Sequence, residues 1–172
     1  MAKTENADAV LAFWFEEISP EQWFKKDDVF DETIKNRFEP TIISSLKGER
    51  DSWANTATGC LALIILLDQF TRNIYRNTPR AFSGDEMALA LSLRCLERGY
   101  LDDADANQRH FMLMPLKIWL FRTCHCRCLR HTQMREHWTM LSNTGTSLHG
   151  LSGFPIATPF WGAVTHPRKL SF

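Results

Sequence analysis

The residues best suited to chemistry lie within one short stretch: Asp68, Gln69, Arg72, Asn73 and Arg76. A spacing of four puts Asp68 with Arg72, Gln69 with Asn73, and Arg72 with Arg76 on shared faces of a helix. The guanidinium groups of Arg72 and Arg76, joined by Arg80 and Arg109, could grip a carboxylate or phosphate bidentately. That would make the face a site for a small anionic ligand. The same residues can also satisfy one another, Asp68 pairing with Arg72 while the arginines tie loops to the next hairpin, because buried charges need partners whatever the function. No nucleophile–base pair stands beside the cluster, so no catalytic residue is assigned and an enzyme is the less favoured reading.

Other clusters have simpler explanations. Phe13, Trp14, Phe15, Trp23 and Phe24 could line an apolar pocket, but aromatics at helical spacing are more often core. Asp27, Asp28, Asp31 and Glu32 stand at a helix start, where they complement the helix dipole without any metal. Cys124, Cys126, Cys128 and His131 offer a C-x-C-x-C-x2-H spacing that lacks the paired C-x2–4-C of structural zinc sites. No metal and no cofactor are expected.

The elements that would position the cluster are helical. Ala7, Val10, Leu11, Trp14, Phe15 and Ile18 repeat at amphipathic spacing, and Ser19-Pro20 ends that helix. Phe30, Ile34, Phe38, Ile42 and Leu46 form a four-spaced stripe stopped by Gly48, with Pro40 inside it predicting a kink or two short helices. Thr58 to Tyr75 is apolar nearly all round through Leu67 and reads as a central buried helix. Ser83 and Glu86 predict a capping box ahead of a helix from Met87 to Leu96, closed by Gly99. Asp105 with Gln108 starts a fifth helix, carrying Phe111 and Met114 and stopping near Pro115. No strand alternation interrupts this series, so the expected class is all-α, an array of antiparallel helical hairpins.

Composition bounds the partners. The 172 residues are 44% hydrophobic and 23% charged with a formal net charge of zero, which gives no reason to expect nucleic acid or an anionic membrane. The start lacks the basic and apolar segments of a signal peptide, the longest apolar run, Cys60 to Leu67, is too short to span a bilayer, and five cysteines make no disulfide framework. A cytoplasmic protein is expected. The zero hides an asymmetry, because residues 1–116 hold 13 basic and 19 acidic residues, whereas residues 117–172 hold 7 basic residues and one acid, Glu136. The basic residues of the second part are dispersed rather than run together, which argues against an RNA-binding arm.

The string from Leu61 through Asp68-Gln69-Phe70-Thr71-Arg72-Asn73-Ile74-Tyr75-Arg76 is distinctive. With Val10-Leu11-Ala12-Phe13-Trp14-Phe15, Trp23-Phe24 and Arg109-His110-Phe111-Met112-Leu113-Met114-Pro115-Leu116, it closely resembles the bacterial domain-of-unknown-function family 924, over about residues 7–116. That resemblance implies a TPR-like helical fold and no established activity. Members of the family continue past the Pro-Leu with a His-Ser-Glu-Asp stretch and close on a string such as R-F-P-H-R-N-A-I-L-G-R, and this chain departs from both.

Shifted codons, each taking the third base of one residue and the first two of the next, restore the pattern. Phe160-Trp161 must then give Leu and Trp161-Gly162 must give Gly; His137-Trp138 must give Leu and Trp138-Thr139 must give Asp. With allowed third bases, Thr139 to Gly162 reads D-H-A-E-Q-H-R-D-I-I-A-R-F-E-R-F-P-H-R-N-A-I-L-G. The resulting division is a helical domain over 1–116 and an aberrant, out-of-frame tail over 117–172. The expected role is a helical binding or scaffolding module whose partner the sequence does not name, a protein or a small anionic ligand; the alternative is an enzyme or small-anion binder using Asp68, Arg72, Asn73, Arg76 and Arg109. If family helices are missing, Leu61–Leu67 and Met112–Leu116 are left uncovered and the domain is poorly soluble or partly molten.

Overall fold

Side-chain caps and left-handed glycines divide the chain into helices largely where the sequence expects them. The computed structural model describes residues 4–123, and the Cys124–His131 cluster and the 142–172 segment lie outside the described residues. Asn6 caps α1, Ala7–Ala12, by accepting from the Ala9 amide, and the helix widens into a π-helical turn, Phe13–Glu17. Ile18 is extended ahead of Ser19-Pro20, and Ser19 with Gln22 forms a reciprocal capping box over the 3-10 turn Pro20–Gln22. The π turn resets the register, so both Phe13 and Trp14 are buried, although the helical stripe in the sequence includes only Trp14.

Asp27 caps α2, Asp28–Leu46, by accepting from the Val29 and Phe30 amides. Of the kink or two short helices expected at Pro40, the division into two is absent: α2 runs through Pro40 as one helix. The carbonyl freed by proline belongs to Asn36, which is exposed, so water can satisfy it. Gly48, at φ +77°, ends the helix as the motif requires, with Glu49 N–H donating to the Ser44 carbonyl and Gly48 N–H to Ser45.

The central element is continuous from Ala57 to Ile74: α3, Ala57–Ile64, a π-helical turn, Ile65–Phe70, and α4, Thr71–Ile74. Thr56 caps it, and every residue from Gly59 to Thr71 is buried. Elements α1, α2, α5 and α6 pack around it. The prediction that Leu61–Leu67 would be left uncovered is therefore not met, since each of these side chains is buried.

The capping box predicted at Ser83–Glu86 does not form. Helix α5 is Asp85–Glu97, its N-cap is Gly84, and the Ser83 hydroxyl donates to the Arg80 carbonyl instead. Packing decides this, because a Cβ on residue 84 would run into the Leu67 carbonyl oxygen, so only glycine lets α5 start against the central helix. Gly99, at φ +69°, closes α5. Asp105 opens α6, Ala106–Thr123, accepting from the amides of Asn107 and Gln108, while its own N–H donates to Gln108. The predicted stop at Pro115 is not observed; the helix passes through it and through Leu116 to Thr123. Among the described residues the chain is helical with no strand.

The aromatic set is mostly core. Phe13 stacks on Phe30 and packs against Phe38 and Phe70, while Trp14, Phe15 and Trp23 gather round Phe111 of α6. Only Phe24, 68% exposed, stands outside.

Candidate functional site

Helix α4 is a single turn that ends at Ile74, and this short length determines where the polar cluster goes. Asp68 sits in the π turn, 1% exposed in its side chain, and Arg72 lies one turn on. The Arg72 Nη2 donates to Asp68 Oδ1 at 2.8 Å and to Asp85 Oδ1, at the start of α5, at 2.9 Å. Its guanidinium also lies over the Phe82 ring, 5.2 Å from the centroid. Gln69 donates to the other Asp68 oxygen and contacts Met114 Sδ at 3.1 Å. The Arg72 guanidinium, seated on the buried Asp68 carboxylate, thus joins the central helix to α5, with Gln69 reaching α6.

Arg76 does not share that face. It follows the Tyr75 C-cap, beyond the helix, and turns towards α2, where its Nε donates to Asp31 Oδ2 and its Nη2 to Asp31 Oδ1 at 3.1 Å. This ion pair, chiefly through its hydrogen bond, pushes the Arg76 guanidinium further above its ordinary value. Asp31 is thus more than a helix-dipole residue, because it anchors the end of the central helix. Arg80 lies over the Tyr75 ring at 4.1 Å. Arg109, on α6, is half-buried, and its Nε, like that of Arg72, has no acceptor among the described residues.

The sequence cluster is therefore divided between two cavities. One, about 380 Å³, is lined by Asp68, Arg72, Phe82, Asp85, Glu86, Leu89, Pro115, Ile118 and Trp119. The other, about 220 Å³, contains Asn73 and Arg76 with Lys26, Asp31 and Lys35. Arg109 lines neither. Four-residue spacing correctly joined Asp68 to Arg72, but it could not show that the helix ends before Arg76. The residues missed in the sequence are Asp85 and Glu86 at the α5 start and Trp119 on the α6 extension. The Pro115 stop hid Trp119, while the capping-box reading took up Glu86.

In the larger cavity three carboxylates face one guanidinium, and Arg72 is already shared by two of them. Its other wall is apolar: Phe82 and Trp119 are both substantially exposed there, beside Leu89, Pro115 and Ile118. Such a groove favours a basic head on an apolar body. With this arrangement, residues 10–142 match a family described as bacterial protein of unknown function, DUF924. The chain belongs to that family. The DUF924 match runs past Leu116, as α6 does. A solved structure of a protein of unknown function from Agrobacterium tumefaciens is similar, with 32% identity and a TM-score of 0.61, covering 63% of this chain. The chain spans 61% of the length of that relative. None of the curated proteins matches. Among the described residues no helix is long and apolar enough to cross a membrane.

Proposed function

We propose that this DUF924 chain is a helical binding module, of the TPR-like hairpin type, whose recognition site is the groove between the start of α5 and the end of α6. Its occupant is a basic amphipathic segment of a partner protein, with the apolar side chains against Phe82, Leu89, Ile118 and Trp119 and a lysine or arginine at Glu86. The observation that supports this reading is the lining itself: three carboxylates to one arginine on one side and a wall of apolar side chains on the other. Glu86 is exposed and makes no ion pair among the described residues. Selection of random helical peptides by display against the full chain tests the reading. Peptides with Lys or Arg at helical spacing from aliphatic residues should be enriched and should lose binding to Trp119→Ala and Glu86→Lys. Enrichment of acidic peptides, or binding indifferent to both substitutions, contradicts it.

A second reading rests on the buried Nε groups of Arg72 and Arg109, which a small anion could satisfy. It makes Asp68, Arg72, Asn73, Arg76 and Arg109 ligand-binding residues. Stabilisation of the protein by phosphate or sulfate, lost in Arg109→Gln, would favour it.

A further inference from the structure

Cys60 and Cys95 meet across the packing of α3 on α5, with their sulfurs 3.2 Å apart. Both side chains are fully buried. The Cys95 thiol donates to the Cys60 sulfur, and the Cys60 thiol points to the Leu91 carbonyl at 3.6 Å. From this separation, closing by about 1 Å reaches the ~2.05 Å of a disulfide bond.

We propose that Cys60 and Cys95 form an oxidisable dithiol, converted by a hydroperoxide into a disulfide that locks α3 to α5. The Cys60 thiolate attacks one peroxide oxygen, the O–O bond breaks, and the other oxygen leaves as water or alcohol after taking a proton from solvent. Cys60 is then a sulfenic acid. The Cys95 sulfur attacks the Cys60 sulfur and forms the S–S bond. Hydroxide leaves and, with the proton from Cys95, becomes water. The two thiols supply the two electrons that reduce the peroxide, so no other reductant enters.

The two cysteines are not equivalent, and the asymmetry fits those roles. The hydrogen bond from Cys95 holds Cys60 below the usual thiol range, while the same bond, followed by burial, pushes Cys95 up. Cys60 is the nucleophile and Cys95 the resolving thiol.

Access comes from the ends of the two helices. Cys60 lies in the first turn of α3 and Cys95 near the end of α5. The segments flanking them are tied by Tyr100 Oη donating to the Asn55 carbonyl at 2.9 Å and Arg94 donating to Asn55 Oδ1 at 3.0 Å. Both ties are solvent-exposed, so local opening at these ends is easier than opening the core and admits a water-sized oxidant.

The test treats the full chain with hydrogen peroxide, alongside a Cys124→Ser, Cys126→Ser, Cys128→Ser version, and maps peptides without reduction. A Cys60–Cys95 crosslink two mass units lighter, reversed by dithiothreitol, is expected in both. The melting temperature of the oxidised protein should rise by on the order of 10 °C. Cys95→Ser should stop at a Cys60 sulfenic acid that dimedone traps. Tyr100→Phe, folded by circular dichroism, should speed crosslinking roughly 2- to 10-fold by loosening the flanking tie. Cys60 and Cys95 remaining reduced in both proteins, or Cys60 crosslinking only to a tail cysteine, would overturn the proposal.

Discussion

Arg72 holds the buried carboxylate of Asp68 at 2.8 Å from one turn away on the central helix. The same guanidinium nitrogen reaches Asp85 of α5, so the pair lies at the joint between two elements rather than on a free ligand-binding face. Arg72→Met should therefore act first on stability. It leaves the Asp68 carboxylate buried with Gln69 as its one remaining side-chain donor among the described residues, a loss of about 3–5 kcal/mol. Urea denaturation of the variant checks this, and an unchanged midpoint would count against the joint.

Gly84 makes a separate prediction about the same joint. Because a Cβ there meets the Leu67 carbonyl, Gly84→Ala should push α5 off the central helix and cost about 1–3 kcal/mol. At an N-cap without close packing the same change would be smaller. Thermal denaturation distinguishes the two cases.

His110 should make stability fall on mild acidification. Burial, and then the Lys117 charge, hold its pKa below the ordinary 6.5. As pH falls, the unfolded chain takes up the proton before the folded one does, so the stability is present above 6.5 and is lost as pH drops through the folded value. An NMR titration of the ring should show a midpoint below 6.5, and His110→Asn should lose stability less steeply with acid. A midpoint at or above 6.5 would refute this.

We propose that the reading frame of the family is lost near Leu116. The DUF924 match runs to residue 142, whereas the forced Leu-Asp and Leu-Gly readings at 138–139 and 161–162 point to a shifted frame. Sequencing the DNA across Leu116 decides the matter. The expected result is a base insertion or deletion after which the alternative frame encodes the shifted string; an uninterrupted frame with codons incapable of giving it would end the idea.

Helix identity was legible in the sequence because apolar spacing and end signals reinforce one another. Gly48, Gly99 and Asp105 act through local backbone chemistry, so each marks the expected helix end. The misses arise from tertiary packing. Gly84 is glycine because of Leu67, a residue remote in sequence, and nothing in Ser83-x-x-Glu86 reveals that. A kink or division at Pro40 and a stop at Pro115 are what local chemistry suggests, since an internal proline loses one hydrogen bond and crowds the carbonyl four residues back. Yet both helices continue through their prolines where they are packed against the central element. The candidate site was half legible: Asp68 and Arg72 pair at helical spacing, while Asp85 enters from another helix and Arg76 leaves with the chain beyond Ile74.

The recognition groove is tested most directly by NMR chemical-shift mapping on the full chain with three small probes: n-hexylammonium, hexanoate and sulfate. The account predicts that hexylammonium shifts the Trp119 indole and the Glu86 and Leu89 amides in a saturable way, while hexanoate and sulfate leave them in place. Saturable shifts at Arg72, Arg76 or Arg109 with sulfate or hexanoate, and none at Trp119 with hexylammonium, would contradict it.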